Sequence, residues 1–286
     1  MSSPDGAKQG TTFVTQANDK HSDSVNLERF SGFAEQYNAY RPSPPAVLRN
    51  VLLELAVTKR PKLIVDMGCG TGLSTRYWAE TADRVIGIEP NLDMRTRAAA
   101  ETVAGNITYL DATSYQTTLA EGCADIVTCS QSLHWMEPQK TLTEVARILR
   151  IGGVFAAYDY DWPPTTGVWR ADAAYEECMK TISAREDDLP LEKRVRKWPK
   201  HEHLRRMADS GLFRYTKEIM LHHEETGAAE RLVGLLLSQG SVMALLKAGK
   251  SEIELGIDRF RRICRETLGT LPRTWYWSSR VRIGVV

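Results

Sequence analysis

The chain has 286 residues, 42% of them apolar and 26% charged, with a formal net charge of +1 at neutral pH. That length and balance describe a globular protein able to bury a sizeable core, and the near-zero charge excludes a global field drawing it to nucleic acid or a membrane surface. Five cysteines (Cys69, Cys123, Cys129, Cys178 and Cys264) form no CxxC pair, which argues against a disulfide framework or a zinc site and predicts reduced thiols in a cytosolic protein.

Residues 1–25 are rich in Ser, Thr, Asp, Lys, Gly and Gln and predict a disordered tail without the apolar run of a signal peptide. No stretch approaches the ~18 apolar residues of a membrane span. Residues 26–286 read as a single domain. Phe30, Phe33, Ala34, Tyr37 and Tyr40 recur at helical spacing until Arg41-Pro42-Ser43-Pro44-Pro45 breaks the pattern. Val47 to Val57 predicts a second helix, with Pro44 and Pro45 at its start.

Strand and helix signals then alternate. Strands are expected at Leu63–Asp66, Arg84–Ile88, Ile107–Leu110, Ala124–Cys129 and Val154–Tyr158. Helices are expected at Leu73–Thr81, Leu92–Thr102 and Gln139–Leu149, the last stopped by Gly152-Gly153. Five strands alternating with helices imply parallel βαβ units. Beyond Asp159 the alternation ends. Helices are expected over 168–183, 228–247 and 252–268, with long strands at Phe213–Glu225 and Thr274–Val286. The expected fold is α/β, with about seven strands: a parallel core, an antiparallel hairpin at its edge, and a helical lid insertion near 161–205.

The sharpest motif is Val65-Asp66-Met67-Gly68-Cys69-Gly70-Thr71-Gly72, set between a strand and a helix. Gly68, Gly70 and Gly72 allow a tight turn and close approach of a ligand, and the helix start offers free N–H groups. A dinucleotide fingerprint needs G-x-G-x-x-G; Leu73 occupies its third glycine position. An acid at Asp66 would repel a pyrophosphate and would welcome a ligand with a free ammonium group. Glu89, ending the second strand, is placed to accept ribose hydroxyl hydrogens; alone, that feature also suits NAD-binding proteins or a solvated strand end.

Asp66-Met67-Gly68-Cys69-Gly70-Thr71-Gly72 resembles motif I of class I S-adenosylmethionine-dependent methyltransferases. Gln131-Ser132-Leu133-His134-Trp135 and Tyr37-Asn38-Ala39-Tyr40-Arg41-Pro42 resemble segments of the trans-aconitate methyltransferase-like, type 11 branch. The resemblance covers about residues 30–160 and implies a Rossmann-like fold. It also implies S-adenosylmethionine held by Asp66, Gly68, Gly70, Gly72, Glu89, Pro90, Asp111, Ala112, Ser130, Gln131, Tyr40 and Arg41. Asp111 and Ala112 are expected at the adenine, though a turn aspartate reads equally well there. In the same way, Pro90 and Met94 suit either an adenine face or core packing.

The acceptor wall is expected from Gln131, His134, Trp135, Tyr160 and Trp162, though ordinary loop anchoring reads equally well for the last two. His134 and Gln131 are the candidate catalytic residues; His134 reads as carboxylate anchor, general base or structural ring. No metal is expected. The implied activity is methylation of a small molecule, with a small carboxylic acid first. The rivals are an N-, C- or phenolic O-acceptor, an RNA substrate bound through the basic run Lys193–Lys200 with Arg205-Arg206, and a cofactor-binding module without catalysis. Acids at 176–192 offset the basic run, which reads as a solvated face before a nucleic-acid contact.

Overall fold

A computed structural model describes residues 38–188 and 196–286. The expected tail over 1–25, the helical spacing from Phe30 to Tyr37, and Lys193, Arg194 and Val195 of the basic run lie outside the described residues. In chain order the elements are α1 (Ala46–Leu55), β1 (Leu63–Met67), α2 (Leu73–Tyr77), β2 (Arg84–Ile88), α3 (Leu92–Glu101), β3 (Ile107–Leu110), β4 (Ala124–Ser130), α4 (Pro138–Ile148) and β5 (Leu149–Tyr160). They continue as α5 (Trp169–Asp187), α6 (His203–Asp209), β6 (Tyr215–Gly227), α7 (Ala229–Leu237), α8 (Gly240–Lys247), α9 (Ser251–Thr267) and β7 (Arg273–Val285).

The seven strands form one sheet in the order β3-β2-β1-β4-β5-β7-β6. The first five are parallel, and β7 runs antiparallel to both β5 and β6. The mixed α/β sheet, with its antiparallel edge, is the one the alternation of strand and helix signals predicts. Both faces of the parallel core are covered, so successive strand residues enter different cores. Ile64, Ile126 and Ala156 pack with Leu48 and Leu52 of α1 and with Trp78. Their neighbours Val65, Val127 and Ala157 pack with Leu142 and Val145 of α4 and Met207 of α6. Strand order reverses between β1 and β4, and ligands of open α/β sheets bind at the carboxyl edge of such a reversal.

Three expected boundaries shift for physical reasons. The helix expected over Leu73–Thr81 closes at Tyr77, and Trp78 is wholly buried in the core. Leu149 already pairs with Ala124, so α4 ends at Ile148 and Gly152-Gly153 lie inside β5 rather than stopping a helix. The helix expected over 228–247 divides into α7 and α8, bent by 70°, with Ser238 and Gln239 between them.

Helices α5, α7, α8 and α9 build a third apolar cluster, which takes in Tyr160, Trp275 and Trp277. The helical layer thus combines α5, from the expected insertion, with three helices that lie between β6 and β7. Among the described residues no single helix is long and apolar enough to cross a membrane.

Candidate active site

One cavity of about 290 Å³ opens at the carboxyl edge of β1, β2 and β4. Asp66, at the end of β1, does not line it. Its carboxylate is fully buried and accepts hydrogen bonds from Thr75 Oγ1 at 2.8 Å, Thr128 Oγ1 at 2.9 Å and Ser74 Oγ at 3.5 Å. Burial pushes this carboxyl up to about 6, against the three hydroxyls that pull it down. Asp66 therefore ties the start of α2 and strand β4 together beneath the glycine loop.

Above it, Gly68, Cys69, Gly70 and Ser74 line the cavity. Gly70 has φ +55°, and a side chain added there would meet no protein atom within 4 Å. That empty space lies on the cavity wall. Gly72 lies outside the lining. It has φ +77°, and a Cβ there would collide with the Tyr109 hydroxyl, so this glycine serves the packing of the turn.

Glu89 is buried and lines the cavity. Its Oε2 accepts from Gly70 N–H at 2.9 Å and its Oε1 from Asn91 N–H at 2.8 Å. Burial raises its pKa, opposed by those amides and by Arg95. Pro90 and Met94 add apolar wall beside it. Asp111 and Ala112 are absent from the lining; Asp111 is held by Arg95 at 2.8 Å instead. The next three residues, Thr113, Ser114 and Tyr115, line the cavity in their place.

The opposite wall comes from the loop after β4. Ser130, Gln131, His134 and Trp135 all line it. Gln131 has φ +54°, and its side-chain Nε2 is buried without a partner. His134 is buried, its ring centroid 4.6 Å from that of Trp135. Its Nδ1 lies 3.7 Å from Asp159 Oδ1, too far for a hydrogen bond. Burial holds the imidazole well below its ordinary pKa, and Lys200 adds to the effect while Asp159 opposes it. The ring is therefore neutral at pH 7.

Tyr160 and Trp162 close one side of the cavity, their rings edge-on at 6.1 Å. Arg41 also lines it. Its guanidinium donates to Ser238 Oγ at 2.9 Å and Ser238 O at 2.8 Å, and lies 4.8 Å over the Trp162 ring. Tyr40 does not reach the cavity; its ring packs where a side chain on Gly234 of α7 would stand.

Lys200 is one of several lining residues that sequence reasoning missed, along with Thr113, Ser114 and Gln239. It belongs to the basic run, yet its Nζ lies 2.8 Å from buried Asp159 Oδ1 and donates to Gln131 Oε1 at 3.2 Å. Asp159 Oδ2 is in turn paired with Arg282 at 2.8 Å, and Arg282 with Glu218 at 2.8 Å. The alternation of β7 puts Arg282 on a buried face, a placement legible only once β7 is known to pair with β5.

The cavity fits a nucleoside joined to an amino acid. Gly70 leaves open a place that any side chain would fill, Glu89 offers a carboxylate beside it, and Pro90 with Met94 supplies apolar surface. No group of His, Cys, Asp and Glu able to hold a metal occurs among the described residues.

Comparison with known proteins agrees with this geometry. A family described as a methyltransferase domain matches residues 65–157. The probable S-adenosylmethionine-dependent methyltransferase CRG1 of Saccharomyces cerevisiae is 32% identical over 132 residues, 44% of this chain and 45% of that protein. A malonyl-[acyl-carrier protein] O-methyltransferase of Pectobacterium atrosepticum is 32% identical over 32% of this chain and 36% of that protein. The matched region thus spans under half the length of either relative. A solved structure described as a candidate type II methyltransferase from Anaeromyxobacter dehalogenans superposes with a TM-score of 0.64, covering 86% of this chain and 98% of that one. At 23% identity that likeness is one of fold. Motif, sheet order and matched region together identify residues 65–157 as a class I S-adenosylmethionine-dependent methyltransferase domain of the type 11 branch.

Proposed function

We propose that the chain transfers a methyl group from S-adenosylmethionine to a small molecule, with a small carboxylic acid as the acceptor. The observation that carries this reading is one cavity lined both by Gly70 and Glu89 and by Gln131, His134 and Trp135. When bound, the cofactor supplies a sulfonium methyl already activated for transfer. Glu89 receives the ribose hydroxyls, and Pro90 and Met94 cover the adenine faces. Thr113 and Ser114 take the polar edge of the base, the task expected of Asp111. Asp66 acts through the loop it anchors and not by direct contact.

Gln131 and Trp135 orient the acceptor, while Tyr160 and Trp162 exclude water from its other side. Alignment is the main task for a nucleophile that carries no proton, and alignment alone is worth up to about 7–11 kcal/mol. The name of the Pectobacterium relative, an O-methyltransferase of malonyl-[acyl-carrier protein], accords with an oxygen acceptor.

A second reading has one observation in its favour. His134 lines the cavity and is neutral, and a neutral imidazole can take a proton from a hydroxyl or amine acceptor. Nucleic acid is the weaker case. In the described part of the basic run Lys197 is paired with Glu186, Lys200 with Asp159 and Arg206 with Glu202. Labelled methyl transfer across an acceptor library, with product mass measured, tests the proposal. A base-labile product is expected, and a base-stable one moves the assignment to the second reading. Cofactor binding without turnover on any acceptor leaves a binding module.

A further inference from the structure

We propose that Lys200 reads negative charge on the acceptor: the Lys200–Gln131 pair forms an oxyanion-binding wall held in place from behind by buried Asp159 and Arg282. This rests on the carboxylate reading above and names the residues that would enforce it.

The cations lining the cavity, among the described residues, are Arg41 and Lys200. Arg41 is engaged by Ser238, by Gln239 and by the face of Trp162. Lys200 is placed differently. An ammonium carries three N–H donors. One is donated to Gln131 Oε1, while the contact with Asp159 Oδ1 is an ion pair in which that oxygen accepts no hydrogen bond, which leaves N–H capacity for a ligand.

The bond to Gln131 also settles the orientation of that amide. Lysine only donates, so the atom facing Lys200 is the amide oxygen and the NH₂ group is turned the other way. That NH₂ is buried without a partner. A buried unpaired donor is costly unless a ligand satisfies it. The wall therefore presents an ammonium N–H to the cavity, backed by an enclosed amide NH₂ that lacks an acceptor, and asks for an oxygen that only accepts. A carboxylate meets that demand; a primary amide or amine, which brings donors of its own, meets it less well.

Charge points the same way. Asp159 is shared by Lys200 and Arg282, each at 2.8 Å, so one carboxylate faces two cations. Glu218 compensates Arg282 from the far side. Lys200 is the end of this chain of charges that lines the cavity. His134 is neutral beside it and adds no cation of its own. The segment bearing Lys200 is also fixed to the same loop: Trp198 N–H donates to His134 O at 2.8 Å, and Lys197 Nζ lies 5.6 Å over the Trp135 ring.

The test compares benzoate with benzamide, a flat pair of nearly equal shape differing in charge. Their binding to the protein saturated with S-adenosylhomocysteine is measured by calorimetry for wild type, Lys200→Met, Lys200→Gln and Lys200→Arg. Wild type should favour benzoate by about tenfold, the range of a charge-assisted hydrogen bond. Lys200→Met and Lys200→Gln should bring the ratio near unity, and Lys200→Arg should restore most of it. An unchanged ratio in both neutral variants overturns the proposal, as does a wild type that binds benzoate no better than benzamide. A general folding defect would weaken both ligands and the cofactor product alike, leaving the ratio intact. Charge selectivity that depends on Lys200 without any carboxylate being methylated keeps this inference and removes the acceptor reading. Ester formation indifferent to Lys200 does the reverse.

Discussion

Gly70 donates its backbone N–H to the Glu89 carboxylate at 2.9 Å, joining the glycine loop after β1 to the acid after β2. The two strongest sequence signals are thus one physical unit, since the carboxylate that would meet a ribose also holds the loop on which the cofactor would lie. Glu89→Ala removes both contacts. It should weaken S-adenosylhomocysteine binding by about tenfold or more, the effect of losing a hydrogen bond to a charged group. Calorimetric affinity equal to wild type would rule the site out.

Two glycines separate binding from folding. Gly70→Ala places a methyl in open space on the cavity wall. It should cost stability by only about 1 kcal/mol, from the positive φ, while cofactor affinity falls sharply. Gly72→Ala meets the Tyr109 hydroxyl as well as a positive φ, and should destabilise by about 2–3 kcal/mol. Melting temperature and binding measured together check the pair; the reverse pattern contradicts the placement of the cavity.

Asp66 has its carboxyl raised from 3.8 to about 6 by burial. An acid so shifted binds more protons folded than unfolded across that interval, so its contribution is fully present below the unfolded pKa and is lost as pH rises through the folded one. The loss is on the order of 3 kcal/mol. Asp66→Asn cannot ionise, so the stability of wild type relative to this variant should fall between about pH 4 and pH 7. Urea denaturation series at several pH values would expose a flat difference, which would mean that Asp66 titrates normally.

His134 is held neutral, its pKa well below the usual value through burial and nearby Lys200. Turnover should therefore show no rise near pH 6.5, the region of an ordinary histidine, to within about one unit. His134→Ala should lower turnover by about a hundredfold with cofactor affinity little changed. Equal loss of both would mark the ring as structural.

Arg282 is buried between Asp159 and Glu218. Arg282→Met leaves Asp159 with half of its compensating charge in a buried place. Removing one partner of a buried pair costs about 3–5 kcal/mol, and chemical denaturation should read a loss of that size. A loss under about 1 kcal/mol, typical of an exposed pair, would show the ion chain to be open to solvent.

Much of the site was legible because its signals are local. Strand β2 and strand β3 begin and end where the sequence places them, since each is a short apolar run bounded by turns. Gly68, Gly70, Glu89, Pro90, Ser130, Gln131, His134 and Trp135 all line one cavity, because each sits at or just after a strand end and parallel strands bring those ends to one edge. Asp111 does not line the cavity and Thr113 to Tyr115 do, since the path of a loop beyond its strand depends on packing; Ser114 is fixed by a 2.8 Å bond to Thr141 of α4.

The sequence by itself determined the alternation that builds a parallel sheet and the glycine turn between β1 and α2, because period and backbone permissiveness are properties of neighbouring residues. Only the tertiary structure decided that Asp66 lies beneath the loop, that Lys200 turns inward from a basic run, and that Arg282 on the terminal strand steadies Asp159. Each depends on partners 62 to 123 residues away in the chain, and charge buried at such a distance leaves no periodic trace in the sequence.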